Sequence, residues 1–267
     1  MWALGLFLFG ILEKTGLAEE KNFGFTADLT YASKYMTDGF KVGGDHSVFQ
    51  PSIKWSLFST GFSLFFWTAL QTYRANQVND ELDFFVNYSH TFFSSRFFAM
   101  NWHGFYDYWV YPTRGTMDDW YGVTTELPTK QGNKLHAGVS LTELIPIARS
   151  HLVPSYNLYY WLYWAQNRTD AFQGGARHEI ALHYYHSIPK VIPGTKEPYI
   201  GLSGFLNYND GAFQVHPGLS HSIAQFTTGL RALGSMFSVS LHHQWSFEKS
   251  LNPLDETWST FSLTRQF

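Results

Sequence analysis

Along most of this chain, hydrophobic and polar side chains take turns. From Thr257 to Phe267, Phe261, Leu263 and Phe267 fall on one side and Trp258, Thr260, Ser262, Thr264 and Gln266 on the other. The segment before it repeats the pattern, with Phe237, Val239, Leu241 and Trp245 against Ser238, Ser240, His242, Gln244 and Ser246. A period of two with one apolar and one polar face describes a strand lying between two different media. Thirteen such segments follow one another between Phe23 and Phe267, separated by polar or Gly/Pro stretches.

A single-chain bacterial barrel has an even number of strands, short periplasmic turns and longer extracellular loops. The shortest connections are 59–61, 94–96 and 232–235, and counting inward from both ends leaves the parities in conflict only between Tyr111 and Ser155. Removing 120–127 from the spanning set resolves the conflict. It also makes 112–133 one extracellular loop, long enough to hold a hairpin of its own. The expectation is an all-β, transmembrane, antiparallel up-and-down barrel of about twelve strands. The connections 144–154 and 189–198 would be periplasmic, and both are long for that side.

Composition supports a lipid-facing exterior. Aromatic residues make up 19% of the 267 residues and charged residues only 15%, well under the usual quarter or so. After the N-terminus no apolar run of about 18 to 20 residues occurs, so helical spans are not indicated. The alternative on composition is a secreted β-sandwich. The chain has no cysteine, which excludes disulfides and thiolate metal sites. A net charge of −3 gives no reason to expect nucleic acid as a partner.

Residues 2–12 are apolar and are followed by Gly16-Leu17-Ala18. This predicts a signal peptide over 1–18 with cleavage before Glu19, although no Lys or Arg precedes the apolar run. An uncleaved anchor is the alternative. Residues 19–267 are then expected to form a single barrel domain.

A final strand ending in Phe resembles the signal by which bacterial outer-membrane barrels are recognised for assembly. The resemblance implies the bacterial outer membrane as location, with its lipid and the barrel-assembly machinery as partners. A second resemblance lies in the first hairpin. Phe25-Thr26-Ala27-Asp28-Leu29-Thr30-Tyr31-Ala32-Ser33-Lys34-Tyr35, the loop Asp38-Gly39-Phe40 and then Phe49-Gln50-Pro51-Ser52-Ile53 are similar to the opening of an uncharacterised proteobacterial outer-membrane β-barrel family. In that family a strand ending Ala-Ser-Asp-Tyr leads to an aromatic-Arg-Gly loop. Here Lys34 stands for the Asp, and Met36-Thr37-Asp38 for the aromatic and Arg. The family brings no activity with it.

If the apolar set faces lipid, the alternate set faces the lumen. The lumen-lining candidates are Asp28, Lys54, Asp83, Asn101, His103, Asp107, His136, Tyr159, Trp161, Arg177, Glu179 and His183. Acids and bases nearly cancel, so a pore selective for one sign is not expected. Inward rings, including Phe65, Trp67, Phe85, Phe105, Trp109, Tyr163, Tyr185, Phe205 and Trp258, would narrow a twelve-stranded bore. They read either as a rail on which sugar or nucleoside faces stack or as a stoppered interior. Trp102, Tyr106, Tyr108, Tyr160, Trp164 and Trp245 fit outward aromatic girdles.

Catalytic equipment is poorly represented. Enzymes that resemble this outline, an outer-membrane phospholipase and a lipid A deacylase, carry a nucleophile and a His two residues apart on one face. The Ser220-His221-Ser222 run is adjacent instead, which in a regular strand sends the side chains to opposite faces. No two His residues stand at i and i+2 on a strand, so no local metal pair is expected, and no cofactor is called for. The reading from sequence is a narrow channel or solute-binding pore for small neutral or zwitterionic molecules. A sealed barrel acting through its loops is second, and an embedded lipid-modifying enzyme third.

Overall fold

The computed structural model describes residues 24–73, 80–92, 99–111, 116–118, 124–126, 131–142, 146–147, 150–165, 171–172, 174–189 and 195–267. The expected signal peptide therefore lies outside the described residues. Twelve long strands form the wall: β1 (Phe25–Ala32), β2 (Val48–Ser56), β3 (Phe62–Gln71), β4 (Glu81–Phe92), β5 (Ala99–Val110), β6 (Gln131–Thr142), β7 (Ser150–Ala165), β8 (Ala176–Ser187), β9 (Lys196–Asp210), β10 (Gly218–Ala232), β11 (Ser235–Ser246) and β12 (Glu256–Gln266). Each pairs antiparallel with its sequence neighbour. The seam is closed by β1 on β12, in register from Thr26 opposite Gln266 to Ala32 opposite Thr260. Closure leaves no wall strand with an unpaired edge, as a wall in lipid requires.

The period of two decides which side meets which medium. Leu29, Ile53, Leu64, Phe84, Ile180, Leu182, Leu202, Phe226, Leu241 and Phe261 stand outward and exposed. Their neighbours Thr30, Ser52, Ser63, Asp83, Glu179, Gln225, Thr227, Ser240 and His242 are buried inside. An apolar outside around a polar inside is the inverse of a soluble sandwich, and it makes the protein a transmembrane β-barrel. Outward rings pair along one rim: Phe25 stacks on Trp55 at 5.5 Å, and Phe62, Tyr88 and Trp102 follow at 4.7 and 5.6 Å. Tyr106, Tyr160 and Trp245 are outward and exposed as well; the side chain of Trp164 lies outside the described residues.

Three expectations need correction. The wall part of the first strand stops at Ala32 and not Tyr35, because the chain turns inward there. The two connections that read as long are shorter, since β7 begins at Ser150 and β9 at Lys196. Pro154 is accommodated within β7 opposite Leu182, and Pro198 falls where the β9 register shifts between Lys196 and Tyr199. Finally, Ser220 and His221 do not face opposite ways. The register of β9 on β10 shifts between Asn207 and Tyr208, both side chains are buried, and Ser220 Oγ lies 3.0 Å from His221 Nδ1. Within the loop 112–133, Thr116–Asp118 pairs with Thr124–Glu126 as a small hairpin.

Candidate functional site: a hairpin in the mouth of the barrel

Between β1 and β2 the chain makes a second, smaller hairpin, Tyr35–Thr37 paired with Phe40–Val42. Its turn is Asp38-Gly39, with φ of 50° and 91°. Positive φ at both central positions is the turn that continues the right-handed twist of two strands, and an Asp-Gly pair is the common way to make it. Ordinary loop hairpins wet one face. Here Tyr35, Met36, Phe40 and Val42 are all nearly inaccessible, at 1–4%, because the hairpin lies inside the wall.

Its apolar side chains complete the packing of the bore. Tyr35 and Val42 join Val48, Phe65, Trp67 and Phe85; Met36 joins Ala181, Phe205, Ile223 and Trp258; and Phe40 meets Phe213 edge-on at 4.6 Å. Each such side chain contributes about 1.5–3 kcal/mol by leaving water.

The polar groups of the hairpin are met by wall residues at the same end of their strands. Asp38 Oδ1 is 2.8 Å from Arg177 Nη1, and its Oδ2 is 3.2 Å from Lys134 Nζ. Gln244 Nε2 donates to the Gly39 carbonyl at 2.8 Å. Lys41 Nζ reaches Glu256 Oε1 at 2.7 Å, and Lys34 Nζ reaches Oε2 of the same carboxylate at 2.6 Å. The Tyr35 hydroxyl donates to Glu81. A Cβ at Gly39 would come within 2.5 Å of His221 Nδ1, so the tip lies against that ring with no room for a side chain. These wall residues sit near the ends of strands that flank the long loops. On the rule that longer loops are extracellular, the hairpin sits within the outer mouth.

Of the sequence-derived candidates, Asp83, Asp107, His136, Tyr159, Trp161, Arg177, Glu179 and His183 are buried, and the set stands in separate groups. Asp107, Tyr159, Trp161 and Arg177 gather about Lys134 and the hairpin tip, and Asp83 on β4 stands opposite Trp109 of β5. Lys134 Nζ lies 3.4 Å from Asp107 Oδ2, and the Arg177 guanidinium carbon is 4.4 Å from the centre of the Tyr159 ring. Next comes a hydrogen-bonded cluster in which His103 Nε2 and His136 Nε2 both contact Asn157 Oδ1, at 3.0 and 3.1 Å. Asn157 Nδ2 in turn donates to Glu179 Oε1 at 3.0 Å. His183 is apart from these, paired with Ser203 at 3.0 Å. Asn101 bonds Ser89 and Thr91 on β4, and Lys54 stands opposite Phe65. Asp28 braces the seam, accepting from Thr30 at 2.7 Å and from Thr264 at 2.5 Å.

Reading the sequence missed Asp38, Lys41, Glu81, Lys134 and Glu256. Lys134 is the one with a plain signal: it precedes His136 by two and shares its face. The others lie in the loop hairpin or on the first residue of a strand, where alternation gives no direction.

No family model matches the chain, and no curated protein matches it in sequence. Solved structures do match in fold. A NanC porin is similar with a TM-score of 0.57 at 9% identity, covering 90% of this chain and 100% of that one. A KdgM porin in complex with disordered oligogalacturonate gives 0.53 at 9%, covering 91% and 99%. An outer-membrane channel from Pseudomonas putida F1 gives 0.54 at 12%, covering 94% and 100%. At these identities the likeness is one of fold, and the fold is that of outer-membrane porins and channels.

Proposed function

We propose that this protein is a narrow outer-membrane conduit for small neutral or zwitterionic molecules, shut at its mouth by the hairpin of its own first loop. One observation carries the reading: what fills the mouth is a loop, held by side-chain contacts and not by the ladder of the wall. A segment held this way can leave without opening the barrel. Lumen chemistry supports the solute class, since Asp83 and Asp107 stand beside Lys134 and Arg177, whereas a pore for one sign would line its throat with that sign alone. The porin and channel folds to which the barrel is similar support conduction over catalysis. The first-strand signature supports kinship with the proteobacterial family named above, and the apolar belt supports outer-membrane lipid as its surroundings, reached through the barrel-assembly machinery.

The test is conductance in planar bilayers, with liposome swelling in alanine and in glucose. Small, infrequent current steps and slow swelling are expected. A barrel that neither conducts nor lets either solute through, even after the hairpin is loosened by Glu256→Gln, would overturn the reading.

A second reading, a sealed barrel acting through the loops 112–133, 166–176 and 209–218, is favoured by the packing of Tyr35, Met36 and Phe40 against wall rings. Stoichiometric capture of a partner by a barrel that stays closed would select it.

A further inference from the structure

Asp38 places one carboxylate oxygen on each of two cations, Oδ1 on Arg177 at 2.8 Å and Oδ2 on Lys134 at 3.2 Å. A free carboxylate held between a guanidinium and an ammonium would share its oxygens in the same way. The two cations belong to β6 and β8, on either side of β7, and rings from the wall flank them. Lys134 Nζ is 5.4 Å from the Trp109 ring centre and 5.8 Å from that of Trp161. The Arg177 guanidinium carbon lies 4.4 Å from Tyr159 and 5.6 Å from Trp161.

This cradle belongs to the wall, while its occupant belongs to the loop. Asp107, opposite Lys134 in the β5–β6 register, already partners Lys134 at 3.4 Å. With Asp38 withdrawn, Arg177 loses its 2.8 Å partner, while Lys134 keeps Asp107. Arg177 is also buried, with its side chain 3% exposed, and its Nε has no hydrogen-bond partner among the described residues. The guanidinium thus holds a donor that Asp38 does not use. Of the other acids nearby, Glu179 accepts from Asn157 and Tyr159, and Glu81 accepts from Tyr35. Asp83 Oδ1 and Asp107 Oδ1 are buried without a partner among the described residues, which suits a solute bearing donors or an ammonium beside its carboxylate.

We propose that Lys134 and Arg177, flanked by the rings of Trp109, Tyr159 and Trp161, form a carboxylate-binding site of the lumen, and that Asp38 occupies it as a tethered stand-in for the carboxylate of a solute. The inference rests on the conduit reading and names the group recognised. A tethered ligand competes at high effective concentration. The site in the resting barrel is therefore available only in the fraction of molecules whose hairpin is withdrawn, and apparent affinity falls by that fraction.

The experiment is calorimetric titration of the purified barrel in detergent with three probes: alanine, a zwitterion; glucuronate, a carboxylate without an ammonium; and glucose, which has neither charge. Asp38→Ala is expected to bind alanine, glucuronate or both about tenfold more tightly than wild type, leaving glucose unchanged. Arg177→Gln in the Asp38→Ala background should abolish the gain. Lys134→Gln in that background serves if the first double variant lacks the heat-modifiable gel mobility of a folded barrel. Preference between alanine and glucuronate tells whether the neighbouring acids take part. Unchanged carboxylate affinity in Asp38→Ala, or an equal gain for glucose, overturns the proposal. Binding is read without current, so a barrel that binds carboxylates yet never conducts defeats only the conduit reading. One that conducts once Asp38 is replaced but ignores carboxylates defeats only this inference.

Discussion

Gln244 on β11 gives its side-chain N–H to the carbonyl of Gly39 at 2.8 Å, across 205 residues of sequence. Gln244 itself is among the most deeply buried side chains, at 1%. A wall residue on a different arc from Lys134 and Arg177 thus fixes the tip of the loop hairpin, and the tip is held from several directions at once.

That arrangement predicts what loosens it. Glu256 accepts from both Lys34 and Lys41, and hydrogen bonds to charged groups are each worth about 1.5–3 kcal/mol. Glu256→Gln and Gln244→Ala are expected to raise the frequency of open-channel current steps, Glu256→Gln more strongly, because it weakens two contacts. Unfolding of the wall should change little. Equal current from wild type and both variants would show that the hairpin does not limit flow.

Gly39→Ala addresses the turn alone. A side chain there meets φ of 91° and the His221 ring at 2.5 Å. Strain of about 1–3 kcal/mol should fall on the docked hairpin, since the wall registers do not include Gly39. Single-channel recording should show longer open times, with the thermal transition of the barrel unchanged.

Acid should leave the mouth closed over a wide range. Burial alone would raise the Asp38 carboxyl, but Lys134 and Arg177 outweigh burial and hold it well below the usual carboxylate range. Asp45 is lowered too, first by the hydrogen bonds it accepts from Lys34 and Lys41. A carboxylate whose docked value is depressed contributes fully above its free value, and the contribution is lost as pH falls through the depressed one. Current should therefore be unchanged between about pH 7 and pH 4 and rise only in stronger acid. Asp38→Ala should lack that late rise. Opening of the wild type already between about pH 6 and 4 would contradict the geometry.

The outer face makes its own prediction. Leu202 is exposed near the middle of β9, and an Arg on the lipid face near the bilayer midplane costs about 2–4 kcal/mol. Leu202→Arg should lower the stability of the barrel in urea by that amount while leaving its current steps as in wild type.

The wall was legible because each strand lies between lipid and a polar lumen, and alternation records that difference directly. Asp83, His136, Arg177 and Glu179, which parity assigns to the inner set, are buried. The hairpin obeys no such rule. Tyr35 and Met36 are adjacent and both buried, because a segment enclosed by wall on every side has no wet face for alternation to mark. Tyr35 read as the end of β1 for the same reason. Ser220 and His221 misled differently: one shifted residue in the β10 ladder turns neighbours that should diverge onto the same side. Pro154 looked like a boundary, yet it sits within β7, paired with Leu182.

The supports of the hairpin are scattered around the whole circumference: Trp67 and Glu81 on one arc, Lys134 and Arg177 on another, and Gln244 and Glu256 beside the seam where β12 meets β1. No open sheet presents all of these together, so the pocket that receives the hairpin comes into being only when the first and last strands join. The stopper's full set of anchors therefore exists only in the sealed cylinder, and opening the seam would cost the hairpin its hold as well as the wall its edge pairing.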